Sequence, residues 1–331
     1  MAKISILGFG TIGQGLAEVI AQNAEVVRRQ CGEPIEIAHV LDLREFPDHP
    51  LGGLVTHDFN DVLNDPEVSV VVEMMGGSHP AYDFSLAALK AGKNVVTSNK
   101  EVVANFGPEL LAEAKKKGLR YLFEASVGGG IPIIRAMTSS LAGNEIVEVN
   151  GILNGTTNYI LTEMKEKGRT MQEALATAQE LGYAERDPSA DIDGLDAARK
   201  ICILNALAFG VMIPVDRVDV TGIRDMSLDE ILDAEKSGQT VKLIAHAGKK
   251  ADGSPDLWVR PTRLDKSSPL ASVSGVFNAI LVRGRSLGDV MFYGAGAGSL
   301  PTASAVLADV IDIVRCGDKQ PAQQQWRRAD A

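Results

Sequence analysis

The fold class this sequence predicts is α/β: a doubly wound parallel sheet in the first part of the chain, then a second α+β domain. Three observations carry that prediction. Short apolar runs at 3–8 (KISILG), 35–41 (IEIAHVL), 68–74 (VSVVVEM), 94–98 (NVVTS) and 119–123 (LRYLF) alternate with helical patterns near 11–30, 80–91 and 106–117. Runs that are apolar throughout read as strands covered on both faces, and strands separated by helices pair in parallel. After about residue 145 the rhythm changes, with helices near 156–167, 170–181 and 194–210 and then strand-like runs at 240–246, 256–263 and 276–283.

The individual elements have local reasons. The helix near 106–117 ends in KKKG, which sets lysines at the negative end of the helix dipole and a glycine at its stop. Ser299 to Arg315 (SLPTASAVLADVIDIVR) reads as a last helix with Pro301 near its first turn. The expected organisation is a first domain over 1–135, completed by the returning helix 300–317, and a second domain over 136–299. The tail KQPAQQQWRRADA is polar and is expected to be frayed.

Composition narrows the classes. The chain has 331 residues, 45% hydrophobic and 23% charged, with a formal net charge of -10, so a nucleic acid or an anionic membrane surface is a poor partner. Cys31, Cys202 and Cys316 show no paired spacing, which argues for neither a zinc site nor a disulfide framework. The start MAKISILGFG has no apolar leader core, and no stretch approaches the about 18 apolar residues of a membrane span. A cytoplasmic protein acting on a small molecule is expected.

Gly8, Gly10 and Gly13, with Thr11 and Ile12 between the last two, form G-x-G-x-x-G at the junction of the first strand and first helix. In that context the motif is a Rossmann-type dinucleotide fingerprint. The first glycine makes the turn, the second admits a pyrophosphate and the third lets helix pack on strand. Asp42 follows the second strand, where a carboxylate can accept from an adenosine ribose, favouring NAD. Arg44 could instead meet a 2′-phosphate, which leaves NADP open.

The segment 182–200 (GYAERDPSADIDGLDAARK) is dense in charge and runs directly into the apolar ICILNALAFGV. Asp196 and Lys200 stand four apart and share a helix face. Desolvation there disfavours the lysine's charge while Asp196 favours it, the poise a general acid/base needs. The plainer alternative is a helix start capped by Asp193, with Asp196 and Lys200 a surface pair worth about 0.3 to 0.5 kcal/mol. A calcium loop is excluded because the acids do not follow the required spacing.

GFGTIG at the start, TSNKE at 97–101, NGILNGTTNYIL at 150–161, AERDPSADIDGLDAARK at 184–200 and YGAGAGSLPTASAV at 293–306 together resemble the homoserine dehydrogenase family over nearly the whole chain. The resemblance implies reversible oxidation of L-homoserine to L-aspartate 4-semialdehyde with NAD or NADP, on the route to threonine, methionine and isoleucine. It implies Lys200 as acid/base, Asp196 holding it, and Glu185, Asp191, Tyr183 and Thr156 around the substrate. Thr156 and Thr157 could equally cap their helix. Lys100 is implied near nicotinamide and substrate, against the alternative of a solvated lysine at a helix start. Gly76, Gly77 and Gly298 are implied beside the cofactor. The stretch FEASVGGGIPI resembles a sodium loop in which oxygens of Glu124, Val127, Gly129 and Ile131 are the ligands; a glycine hinge is compatible with it.

The resemblance also implies a homodimer. No regulatory ACT domain follows the last helix in this sequence, so feedback by threonine through such a domain is not expected. Two other readings stay open at this point: a related two-domain amino-acid dehydrogenase with another substrate, and a non-catalytic dinucleotide-binding sensor.

Overall fold

The computed structural model describes residues 1–317, 321 and 323–329. Two compact units emerge, Met1–Gly130 with Gly298–Arg327, and Ile131–Ala297 with the described residues from Arg328 on. In the first, the chain runs β1 (Ala2–Leu7), α1 (Thr11–Gln22), α2 (Ala24–Cys31), β2 (Ile35–Leu41), β3 (Val55–Thr56), α3 (Phe59–Asn64), β4 (Val68–Glu73), α4 (Ala81–Lys90), β5 (Asn94–Thr97), α5 (Lys100–Lys117) and β6 (Tyr121–Leu122). The six strands pair in parallel in the order β3-β2-β1-β4-β5-β6. Ile4, Ile6, Val70, Val72 and Val96 are fully buried, which is why these strands read as unbroken apolar runs. The order turns back between β1 and β4, and the carboxyl ends on either side of such a switch are where open α/β sheets bind ligands.

The second unit contains α6 (Ile133–Arg135), β7 (Ile146–Ile152), α7 (Gly155–Lys167), α8 (Met171–Glu180), α9 (Ser189–Ile192), α10 (Leu195–Phe209), β8 (Val211–Met212), β9 (Asp219–Val220), α11 (Leu228–Lys236), β10 (Gln239–Lys249), β11 (Pro255–Asp265), β12 (Phe277–Gly284) and β13 (Gly288–Ala295). Its sheet has the order β13-β12-β7-β10-β11-β9, antiparallel but for the β11–β9 pair. The mixed α+β character agrees with the sequence. The central strand β7 was not legible there, because Asn150-Gly151 looks like a turn. Asn150 instead accepts from His246 Nδ1 at 2.8 Å, and a Cβ on Gly151 would come within 2.6 Å of Leu153 Cδ2.

The chain returns to the first unit as α12 (Ser299–Cys316), whose Ser299 hydroxyl donates to Thr11 O at 2.8 Å beside Gly15 of α1. Three expectations need correction. The helix near 11–30 is two helices broken at Asn23, since α2 buries only Val27 and has little to hold it in line with α1. The helix expected from 106 begins at Lys100 and passes through Pro108: Asn99 caps the N–H groups of Glu101 and Val102, and Gly107 has no Cβ to clash with the proline ring. The tail is not frayed at Gln323 and Trp326. Trp326 is buried with its ring against Gly107, and Gln323 bonds the Tyr121 N–H at 3.1 Å, so burial of one large ring outweighs the polar composition around it. The rest of that expectation at 319, 320, 322, 330 and 331 lies outside the described residues.

Candidate active site

In the first unit the glycines do distinct jobs. Gly8 has φ +90°, and a Cβ there would press on Met74 O at 2.9 Å, so the missing side chain lets the ends of β1 and β4 lie close together. A Cβ on Gly13 would overlap Gly8 O. Gly10 has its surroundings open, with Arg44 Nη2 the nearest atom to an added Cβ at 3.8 Å, and as N-cap of α1 it supplies no side-chain cap. The first N–H groups of α1 are left for an anion, at the positive end of the helix dipole. The crevice therefore suits a dinucleotide's pyrophosphate.

Asp42 and Arg44 prove to be one ion pair. The Asp42 carboxylate accepts from Phe9 N–H at 2.7 Å, from Arg44 N–H at 3.0 Å, and from Arg44 Nε and Nη2 at 2.9 Å each. The Arg44 guanidinium, with those backbone donors, holds the carboxyl down to about 2. On the other side of β1, the 74–77 turn is tied to α5 by Asn99, whose amide donates to Met75 O at 3.3 Å and Gly77 O at 2.7 Å. An added Cβ at Gly76 would meet nothing within 4 Å, Lys100 is the half-buried first residue of α5, and Gly298 caps α12 with φ +122°.

In the second unit the charged segment closes on itself. α10 is buried along most of its length, and Lys200 Nζ, near its middle, donates to Asp196 Oδ2 at 2.7 Å and to Leu153 O at 2.8 Å. The two side chains are 11% and 8% exposed, which rules out the surface-pair alternative. Asn154 completes the arrangement. Its amide donates to Asp191 Oδ1 at 2.7 Å and Asp196 Oδ2 at 2.9 Å, while its carbonyl oxygen caps α7 by accepting the Thr157 N–H at 2.8 Å.

Asn154 was missed in the sequence because the threonines beside it looked like caps; its place just before a helix was the available signal. The threonines do other work. Thr156 donates to Tyr183 O at 2.7 Å and so pins the loop carrying Tyr183 and the exposed Glu185, and Thr157 donates to Asn154. Asp193 does not cap α10. Gly194 stands there with φ +83°, and the Asp193 carboxylate faces Arg224, with Nε and Nη2 each at 2.7 Å. Of the positions suggested for a cation, Glu124, Val127 and Gly129 are buried in the first unit, and Ile131 opens the second. Among the described residues no helix is long and apolar enough to cross a membrane.

Comparison with known proteins narrows the class first. Residues 8–124 match the family profile described as "Homoserine dehydrogenase, NAD binding domain", over the glycine crevice, and the chain is a nicotinamide-dinucleotide-dependent oxidoreductase. Residues 132–311 match the profile "Homoserine dehydrogenase", which takes in Asn154 and Lys200. The chain belongs to the homoserine dehydrogenase family. It is 46% identical over 330 residues to a homoserine dehydrogenase of Synechocystis sp., covering 97% of this chain and 76% of the relative. With that of Pseudomonas aeruginosa it shares 42% over 320 residues, 96% and 74% of the two chains. The crystal structure of a homoserine dehydrogenase from Thiobacillus denitrificans superposes with a TM-score of 0.93 at 41% identity, covering 98% of this chain and 78% of the other. A hyperthermophilic archaeal homoserine dehydrogenase in complex with NADPH does so with a TM-score of 0.79 at 30% identity, covering 94% and 97%.

Proposed function

We propose that this chain interconverts L-homoserine and L-aspartate 4-semialdehyde with Lys200 as the general acid/base. The observation that carries the assignment is a lysine amine inside a buried helix, fixed by one carboxylate and one carbonyl. When bound, the nicotinamide dinucleotide supplies the hydride acceptor or donor. Lys200 takes the hydroxyl proton in oxidation and returns it in reduction, while Asp196 and Leu153 O hold its Nζ in place. Asp191 and Glu185 offer carboxylates to the substrate ammonium, and Thr156 keeps the Tyr183–Glu185 loop in position. Lys100, at the start of α5, complements the substrate carboxylate or serves as a second proton carrier. Gly10 and Gly76 leave backbone room for the dinucleotide, Gly8 and Gly13 let β1, β4 and α1 pack closely enough to shape the crevice, and Gly298 supplies the turn into α12 beside it.

Asn154 positions both aspartates, so Asn154→Ala is expected to lower kcat/KM for homoserine by about 100-fold, the cost of misplacing reacting groups by an ångström. Steady-state rates check this, and a variant within threefold of the parent would remove Asn154 from the mechanism.

NAD is the favoured cofactor in this reading, because the Arg44 guanidinium is engaged by Asp42 through two hydrogen bonds and is not free to take a 2′-phosphate. Initial rates with homoserine against NAD and NADP test activity and preference together. Asp42→Ala is expected to raise the NADP-to-NAD ratio of kcat/KM about tenfold, or ~1.4 kcal/mol. Absence of reduced nicotinamide with either cofactor at alkaline pH sinks the whole reading.

The motif resemblance further supports a monovalent cation on oxygens of Glu124, Val127, Gly129 and Ile131. A homodimer is supported by the exposed Phe277, Met291 and Tyr293 on β12 and β13. Rates with sodium replaced by choline, and sedimentation of the pure protein, test these two.

A further inference from the structure

Glu73 ends β4 and is completely buried, yet its hydrogen-bond partners are neutral. One carboxyl oxygen accepts the Met75 N–H at 2.7 Å and the other the Thr97 hydroxyl at 2.5 Å. Thr97 Oγ1 in turn accepts the Asn99 N–H at 2.9 Å, and Asn99 ties Met75 O and Gly77 O to the first turn of α5. A single carboxyl thus anchors the 74–77 turn, the end of β5 and the helix that begins with Lys100. Met74, at the head of that turn, donates its N–H to Leu7 O at 2.8 Å, and its carbonyl lies 2.9 Å from where a Cβ on Gly8 would stand, so whatever moves the turn moves the wall of the glycine crevice.

We propose that Glu73 is a positioning residue for the dinucleotide crevice, holding the 74–77 turn and the start of α5 in their binding-competent arrangement. The inference rests on the reading of the first unit as the cofactor site. A carboxylate accepts both donors at once, whereas the protonated acid can donate only to Thr97 Oγ1, which must then turn its own hydroxyl proton away from Glu73 and lose that acceptor. Burial pushes the carboxyl up to about 7, with the Thr97, Met75 and Asn99 donors working in the opposite direction. Titratable groups on the surrounding elements include Asp83 of α4, Lys100 and Glu101 of α5, Tyr121 of β6, Glu124 after it and Asp309 of α12, while the ladder partners of Glu73, Leu7 and Thr97, carry none. Tyr121, itself fully buried, is the one whose charge couples to Glu73.

The sign follows from linkage. Because the folded value lies above the ordinary 4.5, Glu73 contributes stability below 4.5 that is lost as pH rises through about 7. Cofactor binding that requires the carboxylate runs the other way and tightens over the same interval. Fluorescence titration of the purified chain with reduced nicotinamide dinucleotide at pH 6 and pH 8 is the test. The parent is expected to bind about fivefold tighter at pH 8, the change produced when the cofactor binds the ionised form about tenfold tighter than the protonated form and the free carboxyl titrates at about 7.

Glu73→Gln is expected to bind about tenfold more weakly than the parent at pH 8, with its pH dependence reduced to less than about twofold, and to flatten the fall in Tm of the cofactor-free protein between pH 5 and pH 8. Thr97→Val keeps the carboxyl but removes a donor to its charged form, so it moves the binding midpoint to higher pH; this variant decides the matter if Glu73→Gln does not fold. Equal parent affinity at both pH values, or wild-type behaviour of both variants, overturns the inference alone. A parent that binds no dinucleotide at either pH overturns the cofactor reading with it.

Discussion

Lys200→Ala is expected to lower kcat for homoserine oxidation by about 1,000-fold while leaving the dissociation constant for the dinucleotide within about twofold, since a positioned proton carrier is worth roughly 100- to 10,000-fold. Lys200 Nζ is held 2.7 Å from Asp196 and 2.8 Å from Leu153 O inside α10, in the second unit, and the glycine crevice belongs to the first. Loss of the amine leaves the Leu153 carbonyl and one bond of Asp196 unmet, although Asn154 still donates to that carboxylate. A stability cost of about 1–3 kcal/mol is therefore expected alongside the catalytic one. Lys200→Arg separates the two effects: it keeps charge and donors but cannot release a proton near neutral pH, so its Tm stays nearer the parent's while turnover is still lost. A Lys200→Ala enzyme retaining a tenth of parental kcat would exclude the lysine as the proton carrier.

The second large effect is expected at Gly13. A methyl there overlaps Gly8 O and lies 3.3 Å from Phe9 Cδ2, and a backbone carbonyl cannot swing aside as the end of a flexible side chain can. Gly13→Ala should push α1 away from β1, costing about 1–3 kcal/mol in stability and more than about tenfold in dinucleotide affinity. Gly10→Ala is the contrast. Its Cβ enters open space, so the protein should melt near the parental temperature and still bind cofactor poorly, because that space is where the phosphates must come close. Calorimetry with a cofactor titration on both variants distinguishes packing from binding; unchanged melting and affinity in Gly13→Ala would dismiss the close-packing argument.

How far the site could be read from the chain depended on whether the signal was local. Gly8, Gly10 and Gly13 act through the conformation of their own turn and the helix that follows, so their spacing was enough. The pairing of Asp196 with Lys200 was equally legible, since four residues on a helix make one face whatever surrounds it. Asn154 was not, because its amide reaches 37 and 42 residues along the chain to Asp191 and Asp196. Asp193 was misread for a related reason: an acid before a helix looks like a cap until Arg224, 31 residues away, is seen to claim it.

The parallel sheet, the glycine turn, the buried helix and the family were readable along the chain, because each rests on periodicity, backbone freedom or contiguous motifs. That Asp42 and Arg44 are a single ion pair, that Trp326 is packed on α5 and that Glu73 bonds into the 74–77 turn emerges only once the chain is folded. Those outcomes depend on burial and on hydrogen bonds between distant segments. A carboxyl's charge and a ring's solvation are set by what folds over them, and no spacing along the chain records that.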